Sequence, residues 1–494
     1  MNSSNPKLKR SLGLKALMAT GICSMLGASI NVVPFMIHRS VPGIDSYVLP
    51  AFIFAMLPAF FAALAYGILS SAMPRAGGSY IYASRGLNPY FGFIASFSQW
   101  FGLSIVIGVI AYICVSFIRD VVIGLGFTEA ALLFELPTVK TGISLALIWL
   151  FVFVNIRGAS MYKKTLLPMM YLMFVLGFAV IISGFYFDTT DFVAALKAKE
   201  SKVIYIDQIS RFDWRVFLSA SALLFSSFIG FDSIAQAGSE AKNPTKTLPK
   251  AIVLAIFSVG CFYFLFTTAV YHTVPWSFVA EESKLRDISA PGLLNYVLPS
   301  WLGVAIVLGA AIALINDLPA MLLSVSRLMF AWAEDGIFPS AISKVHPTNH
   351  TPHVALIVAG VMASIGSLGS QFAGDFFLGI DIMVTSMMVN FFLMCVTLLT
   401  IPKVNPQLAS NISVIKKRNY QVVIGAVGVL LLSLFLIIHT YKDLTSDAAS
   451  WYFRSTPVWL IVMGIGSLIF AVKWREIGLT GKDQYDRFKR LPSE

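Results

Sequence analysis

Gly27-Ala28-Ser29-Ile30-Asn31 and Ser226-Ser227-Phe228-Ile229-Gly230-Phe231-Asp232 each interrupt a long apolar run near its middle. Glycine lets a backbone leave the helix, and an unwound stretch at membrane depth is tolerated only where it lines a cavity, because bare N–H and C=O groups facing lipid cost several kcal/mol each. N–H groups freed at a half-helix N-terminus suit an anion such as a carboxylate, while freed carbonyls suit an ammonium or another cation. A single break of this kind reads most simply as close helix packing. Two at matching places read as a binding site for a zwitterion.

Outward from the breaks, the chain resolves into about twelve apolar runs long enough to cross roughly 30 Å of hydrocarbon. They lie near 12–37, 44–72, 91–118, 141–156, 165–187, 214–237, 249–271, 299–330, 353–371, 376–401, 420–440 and 456–473, here called spans 1 to 12. Only 12% of the 494 residues are charged and 57% are hydrophobic, with a mean hydropathy of +0.78. Soluble domains carry about 25% charged residues, so the composition excludes one and gives an all-α polytopic membrane protein. A net charge of +11 invites nucleic acid, yet Lys and Arg lie in short pieces between the runs rather than on one face, which marks topology instead. The basic stretch Lys7–Arg10 leads into span 1 with no small-residue cleavage site, so that helix is expected to stay. Cys23, Cys114, Cys261 and Cys395 fall singly inside apolar runs and read as buried small hydrophobes.

With the N-terminus inside, alternate loops and both tails hold about 24 of the 36 basic residues, the bias expected of cytoplasmic segments. Both termini are therefore expected in the cytoplasm, in a cell membrane read as a bacterial inner membrane. Residues 1–11 and 474–494 are expected to be polar tails, partly disordered. Residues 12–187 and 214–401 form two halves of five spans, and 420–473 a peripheral pair. Trp100, Trp276, Trp301 and Trp459 are expected near span ends, as interfacial belts. Gly425, Ala426 and Gly428 in span 11, with Gly464 and Gly466 in span 12, read as packing surfaces that would serve a homodimer.

The stretch Pro74-Arg75-Ala76-Gly77-Gly78-Ser79-Tyr80 between spans 2 and 3 and Gly238-Ser239-Glu240-Ala241-Lys242-Asn243-Pro244 after span 6 complete a pattern with the two breaks and with Ser326-Arg327 leading to Glu334-Asp335-Gly336. In their order and spacing these residues resemble the amino acid-polyamine-organocation superfamily of permeases, over roughly residues 12–400. The resemblance implies two inverted five-helix repeats with discontinuous helices 1 and 6, plus two peripheral helices, working as a symporter or exchanger by alternating access. It implies that backbone groups of Ala28, Ser29 and Ile30, beside Gly27, hold a substrate carboxylate, and that carbonyls near Phe228, Ile229 and Gly230 hold its amino group. Ser29 stands where a second glycine is common and Asn31 where an apolar residue is common, which alters the shape beside the carboxylate.

Buried acids are the next signal, since a carboxylate near the bilayer centre costs about 2.5–3.5 kcal/mol and is rarely kept without a role. Asp232 and Asp317 qualify as substrate-binding candidates. Asp317, following Asn316 in span 8, suits a cationic side chain or amine, a coupling proton, or a structural hydrogen bond to a neighbouring helix. Trp100 and Phe231 are candidate gates, with Asn31 and Asn316 in the pocket. Some proton-coupled relatives carry a lysine in span 5, where this chain has Met173. Ser324 and Ser326 offer oxygens to sodium, although helix hydroxyls more often bond their own backbone; a proton or a counter-substrate fits better. No cofactor and no metal site is expected, the pair His346 and His350 bracketing Pro347 in a loop. The reading is a secondary transporter for an amino acid or related amine. Its alternatives are a polyamine or cationic amino acid antiporter and, more remotely, a membrane enzyme, for which the chain lacks clustered acid–base residues at one membrane face.

Overall fold

The computed structural model describes residues 7–202, 204, 211–373, 376–446, 450–479 and 484–492. Eleven helices among them are long and apolar enough to cross a membrane. The broken first span supplies the twelfth crossing, with Leu14–Leu26, Ala28–Asn31 and Val33–Ser40 end to end. The others are Val48–Ala72, Pro89–Gly124, Pro137–Ile156, Ala159–Tyr186, span 6 within 214–236, Pro244–Thr273, Ser300–Glu334, His353–Ala373, Phe376–Val404, Arg418–Thr445 and Ser455–Leu479. All twelve runs read from the sequence are therefore helices. Their ends carry the expected signals: Asn88 accepts from the Tyr90 N–H ahead of Pro89 at the start of span 3, and Asp213 accepts from the Arg215 N–H at the start of span 6.

Burial ranks the spans. The stretches with the largest buried share are span 6 (89%), span 8 (83%), span 10 (78%) and span 3 (72%), whereas spans 5 and 12 are 28% buried. A helix that keeps its apolar surface out of the protein interior must spend it on lipid, which suits an outer position for spans 11 and 12. Span 1 packs on spans 5, 6, 7 and 8, and span 6 packs on spans 1, 2, 7, 8 and 11, so both broken helices run through the centre.

Some local expectations change. The motif between spans 2 and 3 is no open loop: Gly78–Gly86 is a helix with every residue buried. Trp100 lies well inside the 36-residue span 3 and is 8% exposed, because Phe97 stacks on it and Trp332 meets it edge-on; it belongs to no interfacial belt. Cys261 is exposed, on the outward face of span 7. Gly425 and Gly428 are consumed within the chain, fitting closely against Cys395 with Leu399 and Phe61, and Gly466 fits against Phe97. The C-terminal tail is docked over residues 484–492, taken up below.

Candidate functional site

Span 1 stops at Gly27, whose backbone (φ −62°, ψ −105°) leaves the helical region. Asn31 sustains the break locally by donating from Nδ2 to the Gly27 carbonyl at 3.3 Å. Span 6 stops in stages: Trp214–Leu224 tightens into a 3₁₀ turn at Phe225–Phe228, Ile229 is extended, and Gly230 takes φ +140° before Asp232–Gln236 resumes. That dihedral is strained for any L side chain, and a Cβ on Gly230 would also strike the Ser24 carbonyl of span 1. The two breaks therefore face each other at contact distance, and the Ser24 and Ser233 hydroxyls meet at 3.2 Å beside them.

Span 8 brings Asp317 to the same place. A Cβ built on Gly27 would collide with both carboxylate oxygens of Asp317, so this acid, 2% exposed, lies directly on the backbone where span 1 opens. Asn316 donates from Nδ2 to the Cys23 Sγ at 2.9 Å, fixing span 8 to the last full turn before the break. Tyr263 of span 7 donates its hydroxyl to the Met25 carbonyl, a carbonyl released by the end of the helix.

The structure thus gathers Gly27, Asn31, Phe228, Ile229, Gly230, Asp232, Asn316 and Asp317 around one centre. Ala28, Ser29 and Ile30 lie in the helical turn that follows Gly27. Phe228 packs against Phe52 and Tyr263. Phe231 turns the other way, onto Tyr66 and Phe391. Trp100 is not brought to the breaks, its ring partners being Phe97 and Trp332. Ser324 and Ser326 sit seven and nine residues beyond Asp317, about 10–14 Å along the helix. Ser326 donates to the Leu323 carbonyl and accepts from Arg327, its oxygen spent on these two partners.

Asp232 is fully buried and accepts from the Gly230 N–H at 3.1 Å and from Gln99 Nε2 of span 3. Sequence reasoning missed Gln99 and the chain behind it. The Gln99 carbonyl oxygen accepts from Gln236 and Asn390, both at 3.3 Å; Gln236 and Tyr66 each meet the Ser79 hydroxyl at 2.7 Å; and Asn390 reaches the Tyr66 hydroxyl at 2.7 Å. Spans 2, 3, 6 and 10 are thereby joined through residues with no exposure to solvent. A buried network of this kind resists distortion only while every member is satisfied. The usable signal was amides inside apolar runs, which the rule applied to carboxylates covers equally.

Beside the breaks, Leu26, Ile30, Asn31, Met173, Phe262 and Ala313 line a cavity of about 20 Å³, room for about one water. Met173 of span 5 is thus a wall of it. A solute the size of an amino acid fits this cavity only if the spans around it move apart.

One face of the helix bundle is closed by the motifs that carried the resemblance. Ala76 N–H donates to the Ser239 hydroxyl at 2.8 Å and Gly77 N–H to the Gln236 carbonyl at 3.2 Å. Ser11 and Leu12 N–H groups donate to the Glu240 carbonyl, and Lys242 N–H returns a bond to Leu12. Arg327 grips Glu240 through Nε and Nη2 at 2.7 and 2.5 Å, and Arg85 binds Asp335 with both nitrogens at 2.6 and 2.9 Å. All four side chains are at most 4% exposed; ion pairs so buried hold only while both partners stay in place.

Broken helices paired across a closed central site, with ion pairs sealing one end, define a polytopic membrane transporter. The amino acid permease family profile matches residues 12–468, and the chain belongs to that family, within the superfamily its motifs resemble. It is 27% identical over 382 residues to the branched-chain amino acid permease BcaP of Bacillus subtilis (strain 168), covering 74% of this chain and 76% of that one. It is 25% identical to cationic amino acid transporter 4 of Mus musculus over 74% of this chain, spanning 56% of that protein. With the low-affinity putrescine importer PlaP of Escherichia coli (strain K12) it shares 23% identity over 85% of this chain and 84% of the relative.

Proposed function

We propose that this chain is a secondary transporter of an amino acid or related amine that binds the solute between the two broken spans and exchanges access by parting them. The observation that carries the reading is Asp317 lying on the Gly27 break. Backbone N–H groups of the turn Ala28–Asn31 suit a carboxylate, and the Asp317 carboxylate beside Gly27 suits an amine or cationic group. A cationic amino acid or polyamine is the second reading. Two fully buried acids at one centre favour it, and the names of the mouse and PlaP relatives agree with it. Transport is coupled to a proton or a counter-substrate. Ser326 is spent on other partners away from the breaks, whereas the carboxylates Asp232 and Asp317 stand at the centre and can take up a proton. The excess of Lys and Arg on one set of loops supports a cytoplasmic position for both termini in a cell membrane, and with it a cytoplasmic position for the sealed face.

Counterflow in proteoliposomes tests the reading. Vesicles preloaded in turn with each standard amino acid, ornithine, agmatine and putrescine should take up one chemical group saturably, and a pH or sodium gradient should alter the rate for one ion only. Folded protein that exchanges none of these would sink the reading for this solute class.

A further inference from the structure

Residues 484–492, beyond the last span, lie across the cytoplasmic ends of five separate elements. Arg75 donates from Nε to the Pro492 carbonyl at 3.0 Å, and Arg85 from Nε to the Arg490 carbonyl at 3.3 Å. Asn405, following span 10, donates to the Lys489 carbonyl at 3.0 Å. Arg487 in turn donates to the Glu334 carbonyl at the end of span 8, at 2.7 Å. Phe488, 4% exposed, has its ring 5.0 Å from the Arg85 guanidinium carbon and 5.6 Å from the Trp474 ring of span 12. Leu491 packs on the apolar core.

We propose that this C-terminal segment is a strap that holds the cytoplasmic gate shut, acting through the Arg85–Asp335 pair beneath it. The functional half of the inference rests on the transporter reading above. The geometry gives the mechanism. Arg85 is anchored to Asp335 on one side and carries the Phe488 ring on the other, so the ring helps keep water from the pair. A desolvated, hydrogen-bonded ion pair holds its partners in one arrangement, whereas the same pair in water contributes little. Lifting Phe488 hydrates Arg85 and loosens the attachment of the helix Gly78–Gly86 to the end of span 8. The carbonyl bonds to Arg75, Arg85 and Asn405 tie that helix, its approach and span 10 to a single short piece of chain. These ends separate when a cytoplasmic path opens, and the strap must leave first. Its removal therefore speeds opening toward the cytoplasm without touching any group at the helix breaks.

Two measurements on the purified full-length protein in nanodiscs and proteoliposomes judge this. Hydrogen exchange followed by mass spectrometry should show residues 75–86 and 335–337 protected in the wild type and exchanging faster in Phe488→Ala and in a chain ending at Leu479, with peptides of the opposite face, such as the helix Trp276–Leu285, unchanged. Counterflow, where set by opening, should be faster by roughly threefold or more in both variants. Asp335→Asn should raise it similarly, and its effect should not add to that of Phe488→Ala, since both act on one pair. Unchanged exchange at 75–86 in both variants overturns the strap. Faster hydrogen exchange with unchanged counterflow overturns its role as a gate. A wild type that exchanges hydrogen as expected yet transports no solute counts against the transporter reading and leaves the docking established.

Discussion

Asp317 is where structure and chemistry make opposite demands. Burying a carboxylate at membrane depth costs a few kcal/mol, and the residue is accommodated only because Gly27 has no side chain where the acid lies. Two predictions follow from that contact. Asp317→Asn keeps the shape and removes the charge, so substrate affinity should fall by about 10-fold or more while the protein keeps its elution profile in detergent, as for loss of one charge-assisted hydrogen bond. Uptake unchanged across pH would assign Asp317 to holding spans 1 and 8 together. Gly27→Ala places a methyl group against the carboxylate and should displace span 8 or reopen span 1, lowering the melting temperature; combined with Asp317→Ala the loss should be partly recovered, because the collision disappears. Equal losses in the single and double variants would show that the contact is not what Gly27 serves.

At the scale of elements, the paired breaks were legible because glycine within an apolar run has few explanations, and because the same anomaly occurs in both halves. The twelve helices were legible for a similar reason, since the hydrocarbon thickness fixes their length. What stayed hidden was partnership. Nothing in a single sequence says that Gln99 of span 3 points at Asp232 of span 6, that Trp100 joins Phe97 and Trp332, or that the stretch before Gly86 folds as a buried helix. These depend on which faces of several helices meet, and periodicity is silent on that where all faces are apolar. The motifs after spans 2 and 6 could be quoted, but their meeting through Ala76, Ser239 and Gln236 could not be read. The Arg327–Glu240 pair permits a test at this scale. Glu240→Gln leaves a buried guanidinium without its counter-charge, which costs about 3–5 kcal/mol. A large drop in thermal stability is therefore expected, with partial restoration in Glu240→Gln/Arg327→Met, where both charges are gone. Full stability of the single variant would show that the closed gate does not depend on this pair.

For the whole molecule, orientation decides what every local statement means, because the sealed face is a cytoplasmic gate only if the termini lie inside. The excess of Lys and Arg on one set of loops argues for this. Independently of charge, residues 7–12 and 484–492, from opposite ends of the chain, dock on the same face as the motifs after spans 2 and 6, through Leu12 with Glu240 and through Pro492 with Arg75. Both termini and that gate must then share one compartment, whichever it is. Lys199 and Lys416 settle which. Both are exposed, the first on the helix Thr189–Glu200 that follows span 5 and the second just before span 11, on the termini's side. On intact cells an impermeant amine reagent should modify Lys199 and spare Lys416, and on inside-out vesicles it should do the reverse. Modification of Lys416 alone on intact cells would invert the molecule and make the Arg327–Glu240 and Arg85–Asp335 pairs an external gate, with the strap then reporting on the outside of the cell.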